Sequence, residues 1–91
     1  MYPGGPWDSY ALSNGGFYTA PRVSEELYIR WHGNSFEGDL TGDAAGIVAC
    51  LFAYRLMGER TQERRFDRLF RQLQEYSCEH PESRLILRAI D

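Results

Sequence analysis

Lysine is absent from this 91-residue chain, and all ten of its basic side chains are arginine. Arginine's planar fork suits bidentate pairing with carboxylates or phosphates, so its clusters read as ion-paired solvent faces or as phosphate-tracking surfaces. Cysteine is scarce. Cys50 and Cys78 are too few to mark a disulfide-framed secreted scaffold, and they read as free thiols in a reducing compartment, used as small core residues. Histidine occurs twice, at His32 and His80, and no His or Cys pair has metal-ligand spacing. Long apolar runs are missing too. The longest, Ala44 to Tyr54, is 11 residues, well short of the roughly 20 that a membrane span needs. The first residues lack the charged-then-apolar pattern of a secretory leader. These absences point to a cytoplasmic chain with no metal, no cofactor and no membrane segment.

What is present suits a small globular protein. Apolar residues make up 43% and aromatics 14% of the chain, enough for a core and too many for a disordered segment. Residues 1–91 read as a single domain, with 1–8, "MYPGGPWD", as an irregular lead-in. Charge is uneven. Residues 1–45 carry net −4 and residues 46–91 net +1, for the overall −3.

The elements follow from periodicity. Asp8 to Ser13 reads as a strand, Asn14-Gly15 as a two-residue type I′ turn, and Gly16 to Ala20 as the returning strand ended by Pro21. Phe17 and Tyr18 then point to opposite faces. "LYIRWHG" alternates, with Leu27, Ile29 and Trp31 on one face and Tyr28, Arg30 and His32 on the other. Gly33-Asn34 is a second turn. "SFEGDL" returns with Phe36 and Leu40 inward and Glu37 and Asp39 outward. Thr41 caps a helix over Asp43 to Met57 that is apolar on nearly every side, so several neighbours must bury it. A second helix, capped by Thr61, carries the stripe Phe66, Leu69, Phe70, Leu73 and Tyr76 opposite Arg64, Arg65, Arg68 and Arg71. Pro81 opens a last helix that docks Leu85, Ile86 and Ala89 and ends at Asp91. The fold class is α+β: a small antiparallel sheet of about four strands in two hairpins, followed by three helices.

No catalytic constellation stands out. Glu37 and Asp39 form an i, i+2 carboxylate pair that reads as protection of a strand edge rather than an acid–base or cation site. Ser13, Thr19 and Ser35 have no adjacent base, and no phosphate loop or dinucleotide fingerprint occurs. The chain reads as a binding protein rather than an enzyme. The pI of about 5.3 argues against strong DNA binding. Six acids in residues 1–45, interrupted by arginines, are too few for a mimic of DNA, which carries one charge per about 1.7 Å.

Four blocks carry a resemblance. "YALSNGGFYTAP" from Tyr10, "GNSFEGDLTGDAAGIVACLFA" from Gly33, "HPES" from His80 and the ending "RAID" resemble, in order and spacing, the ArdB/KlcA antirestriction family. Members carry a further N-terminal segment ahead of the tryptophan that matches Trp7, so the resemblance is to a short form. It implies a protein of plasmids, phages or genomic islands that protects incoming DNA from host type I restriction without imitating DNA. The expected partner is a host defence complex, either a type I restriction enzyme or, alternatively, a CRISPR effector. Two further alternatives are a nucleic-acid-binding accessory that uses the arginine helix and an inactive fragment. A second copy of the chain is a candidate cover for apolar surface left by a missing layer. The expected contact residues are Tyr18, Glu37, Asp39 and Asp91, with Arg64, Arg65, Arg68 and Arg71 as a second set. Asp91 qualifies because a carboxylate at a helix C-terminus is disfavoured by the dipole and still matches the family's ending.

Overall fold

The computed structural model describes residues 6–23, 25–31 and 36–90. Two hairpins precede three helices: β1 (Trp7–Ala11), β2 (Phe17–Pro21), β3 (Leu27–Trp31), β4 (Phe36–Leu40), α1 (Gly42–Thr61), α2 (Arg64–Cys78) and α3 (Ser83–Ile90). The α+β class and the element order are as the periodicity predicts. Both hairpins are antiparallel, with Tyr10 opposite Tyr18 in the first and Ile29 opposite Gly38 in the second.

The hairpins do not join into one sheet; each is a separate two-stranded sheet. The physical reason lies on β2. Its edge away from β1 is taken by α1. The Thr19 N–H donates to Cys50 Sγ at 3.4 Å, and the Tyr54 hydroxyl donates to the Phe17 carbonyl at 2.7 Å. No third strand can pair there. The same approach explains Gly46. A Cβ at that position would lie 2.5 Å from Ala20 Cα, so only glycine lets α1 lie against β2.

Several boundaries move. β1 begins at Trp7, one residue ahead of the expected strand start at Asp8. The first turn is not type I′. Leu12 N–H donates to the Gly16 carbonyl and Gly15 N–H to the Leu12 carbonyl, leaving Ser13, Asn14 and Gly15 as a three-residue loop. Gly15 alone takes positive φ, at 95°, as in a type I turn closed by a left-handed residue. α1 does not stop near Met57. It runs through Gly58 to Thr61 and ends where Gln62 adopts φ 57° and returns its N–H to the Gly58 carbonyl. Thr61 therefore does not cap α2. Its hydroxyl donates to the Met57 carbonyl and accepts from Glu63 N–H, and Glu63 occupies the cap position. Pro81 lies in the turn ahead of α3 rather than inside it. The Gly33-Asn34 turn, His32 and Asp91 fall outside the described residues.

The core gathers on α1, which packs against β2, β3, β4, α2 and α3. Leu40, Ile47, Leu51, Leu73 and Ile86 are fully buried. α1 is apolar on more sides than its neighbours cover: Ala44, Ile47, Val48 and Leu51 are buried, while Ala49, Ala53, Leu56 and Met57 stay exposed. Both cysteines are free thiols; Cys50 is half-buried against β2, whereas Cys78 is exposed and not a core residue. Among the described residues, no helix is long and apolar enough to cross a membrane.

Candidate functional site

The blocks that stand out in the sequence meet at one place. Tyr18 comes from β2, Asp43 from the first turn of α1, and His80 from the turn between α2 and α3. Thr41 sits in extended backbone and caps α1 by accepting the Ala44 N–H, which fixes Asp43 two residues further on. The helix dipole favours a carboxylate there. Asp43 Oδ1 accepts the Tyr18 hydroxyl at 2.6 Å, and Oδ2 lies 2.7 Å from His80 Nε2. His80 Nδ1 accepts the Glu82 N–H at 3.0 Å. That bond assigns the imidazole proton to Nε2, so His80 donates to Asp43. Glu82 reaches back in turn, its carboxylate accepting the Thr41 N–H at 3.1 Å and the Thr41 hydroxyl.

Aromatic rings pack around the two donors to the carboxylate, which itself stays partly exposed. Tyr10 stacks on Tyr18 with centroids 5.0 Å apart, and Tyr76 contacts Tyr18 at 5.8 Å and the His80 ring edge-on at 6.2 Å. Burial, with the Asp43 hydrogen bond adding to it, pushes the Tyr18 phenol well above its ordinary value. Such a phenol stays protonated at neutral pH and is no general base. Among the described residues, no buried side-chain nitrogen or oxygen lacks a partner. The arrangement therefore reads as a joint that ties hairpin, helix start and inter-helix turn together. Each polar side chain of the joint already has a partner within the fold.

The Ser13–Gly15 loop is held by the same logic. Asn14 Oδ1 accepts the Gly16 N–H at 3.0 Å, and Asn14 is also paired to Gln72 on α2. A Cβ on Gly16 would stand 2.8 Å from Gln72 Cβ, so the second glycine of Asn-Gly-Gly answers the close approach of α2.

The expected contact residues are not brought together. Tyr18 is 2% exposed and its hydroxyl is occupied, so it is not available to a partner; Phe17, 46% exposed, is the outward aromatic. Glu37 and Asp39 are exposed on β4, in the other hairpin, where Glu37 lies 3.9 Å from Arg30. Arg64, Arg65, Arg68 and Arg71 are exposed on α2. Arg65 pairs with Glu63 at 3.3 Å and lies over the Phe66 ring, while Arg64, Arg68 and Arg71 line a shallow hollow with Asp67. Sequence reasoning passed over Asp43, Tyr76, His80 and Glu82 as joint residues. The signal that could have found three of them is their place inside or beside the quoted blocks.

Comparisons with known proteins give the family. The family model for antirestriction proteins matches residues 1–91. Two KlcA antirestriction proteins of Escherichia coli are 46% and 44% identical to the chain over 99% of its length. The chain spans only 64% and 66% of their own lengths. One solved structure superposes with a TM-score of 0.85 at 46% identity, covering 99% of this chain and 66% of that one. It comes from work on KlcA and ArdB, described as having a novel fold and antirestriction activity against type I DNA restriction systems in vivo but not in vitro.

Proposed function

The chain belongs to the antirestriction protein family, and on that premise we propose that it relieves type I restriction of incoming DNA by a protein contact made in the host cell. The observation that carries this reading is the match along the whole chain, at 46% identity and with the same fold, to a protein described with that activity. Activity in vivo but not in vitro, as described for KlcA and ArdB, supports a target that the cell supplies and a purified cleavage reaction lacks. A carrier on a mobile genetic element fits a protein that defends incoming DNA.

The geometry supports contact with protein rather than imitation of DNA. Asp8 is paired with Arg22 at 2.6 Å, Asp43 with Tyr18 and His80, and Glu82 with Thr41. The Arg22 hydrogen bond holds the Asp8 carboxyl below its usual value. Carboxylates engaged by the chain's own groups are not free to form the dense row that duplex DNA presents. Satisfied polar groups at the joint support an inhibitor without catalysis. The contact surface is drawn from exposed groups away from the joint, chiefly Glu37 and Asp39 on β4 and Arg64, Arg68 and Arg71 on α2.

Transformation with unmodified plasmid tests the reading. Expression of the chain raises transformants in a host with a type I system and leaves a matched restriction-deficient host unchanged. Equal numbers with and without the chain in the restricting host, from cells shown to hold folded protein, overturn it.

A further inference from the structure

The two edges of the first hairpin differ. In its antiparallel register, Tyr10 faces Tyr18 and Asp8 faces Ala20, while Leu12 bonds Gly16 and Arg22 bonds Pro6 at either end. Ladder bonds therefore fall at even positions of β1, and Ser9 and Ala11 turn their N–H and C=O groups away from β2. On β2 the outward groups at Phe17 and Thr19 are met by Tyr54 and Cys50 of α1. On β1 nothing meets those of Ser9 and Ala11 among the described residues. Both residues are exposed, and so are Trp7 (49%), Tyr10 (42%) and Phe17 (46%) beside them. An open strand edge set among exposed aromatics is a template for another strand.

We propose that β1 is the interface through which two copies of this chain pair, antiparallel and centred on Ser9, into one continuous four-stranded sheet. The sequence of the edge selects this occupant and this register. Centred on Ser9, each outward position meets an outward position. Ser9 exchanges both its bonds with Ser9 of the second copy, and Trp7 stands opposite Ala11 on each side. The large indole then covers the small Ala11 next to Phe17, so the exposed aromatics of both copies are buried against small residues. A shift by one residue toward the N-terminus would set Asp8 directly against Asp8, a destabilising like-charge pair. A shift the other way would set Tyr10 against Tyr10 and carry Trp7 past the end of the partner strand. Within the Ser9 register Asp8 faces Tyr10, and its charge is already met by Arg22. The resulting contact is isologous and closed, as a two-fold dimer requires, and it removes the open edge from both copies.

Sedimentation equilibrium of the full chain across micromolar to millimolar concentrations tests the pairing, read against the chain mass of 10.5 kDa. The wild type approaches twice that mass. Ser9→Lys, which sets two ammonium groups opposite each other, and Ser9→Pro, which removes only an outward N–H, sediment at the single-chain mass with an unchanged circular dichroism spectrum. Ser9→Cys in a Cys78→Ser background reads the register directly and oxidises to a cross-linked dimer, since residues bonded in this way stand about 5.5 Å apart. A wild type that stays at 10.5 kDa throughout overturns the proposal. So does a dimer that Ser9→Lys leaves intact, or a Ser9→Cys chain that does not cross-link. A dimer broken instead by Phe52→Glu on α1 places the contact on the helix face and also overturns it.

Discussion

Asn14 and Gln72 exchange two hydrogen bonds across 58 positions of sequence. Asn14 Nδ2 donates to the Gln72 carbonyl, and Gln72 Nε2 donates to the Asn14 carbonyl, each at 2.8 Å. The pair fastens the tip of the first hairpin to the middle of α2, and each side chain satisfies a backbone group of the other. Asn14→Ala and Gln72→Ala should each cost about 1 kcal/mol, and the double variant little more than either, because both remove one coupled unit. Urea unfolding of the four proteins measures the coupling.

Gly46 inverts the usual rule for helix glycines. In an open helix, Gly→Ala stabilises by about 1 kcal/mol. Here the added methyl would stand 2.5 Å from Ala20 Cα on β2. Gly46→Ala should instead destabilise by about 1–3 kcal/mol, the range for overpacking. A melting temperature equal to or above that of the wild type would contradict the close packing of α1 on β2.

Asp43 holds the joint, and its loss strands two buried donors. Asp43→Ala leaves the Tyr18 hydroxyl and His80 Nε2–H without an acceptor. The expected cost is about 2–4 kcal/mol, from about 1–3 kcal/mol for each unsatisfied group. Glu82→Ala, which opens only the bonds to Thr41, should cost about 1 kcal/mol. Any loss of protection by these variants should track their loss of stability. A folded, stable Asp43→Ala protein with no protection would instead assign Asp43 a direct role.

The two buried tyrosines set the alkaline limit of the fold. Burial pushes the Tyr54 phenol up to about 12, with Cys50 adding to it, and pushes Tyr18 up further, whereas an unfolded tyrosine titrates near 10. The folded chain thus keeps protons that the unfolded chain releases above pH 10. This stability is fully present below about pH 10 and is lost as pH rises from there toward 12. Phenolate absorbance should show Tyr18 and Tyr54 ionising only together with unfolding.

Much of the architecture was legible in the sequence because it rests on local periodicity. The alternation from Leu27 to Trp31 and the stripe from Phe66 to Tyr76 give the second hairpin and α2 directly. The end of α1 was not legible, since Gly58 resembles a stop and the residue that takes the left-handed position is Gln62, not a glycine. Alternation sets Phe17 and Tyr18 on opposite faces but does not say which face is the core. That choice is made by Asp43, 25 positions away, which offers an acceptor to a buried phenol. The joint of Asp43 with His80 spans 37 positions, and no spacing rule links a first-turn carboxylate to an inter-helix turn. Separate sheets were equally hidden, because the groups that close the edge of β2 are a thiol and a phenol on a helix.

The account's central claim is that this chain shields unmodified DNA from a type I system by a protein contact, with neither chemistry nor imitation of DNA. Plating of unmodified phage on two hosts that differ only in their type I restriction genes tests it most directly. With the chain expressed, plating on the restricting host should rise toward that on its restriction-deficient twin, and the purified chain should not shift duplex DNA at low salt. Unchanged restriction by cells containing the folded chain, or protection that disappears together with measured DNA binding, would contradict it.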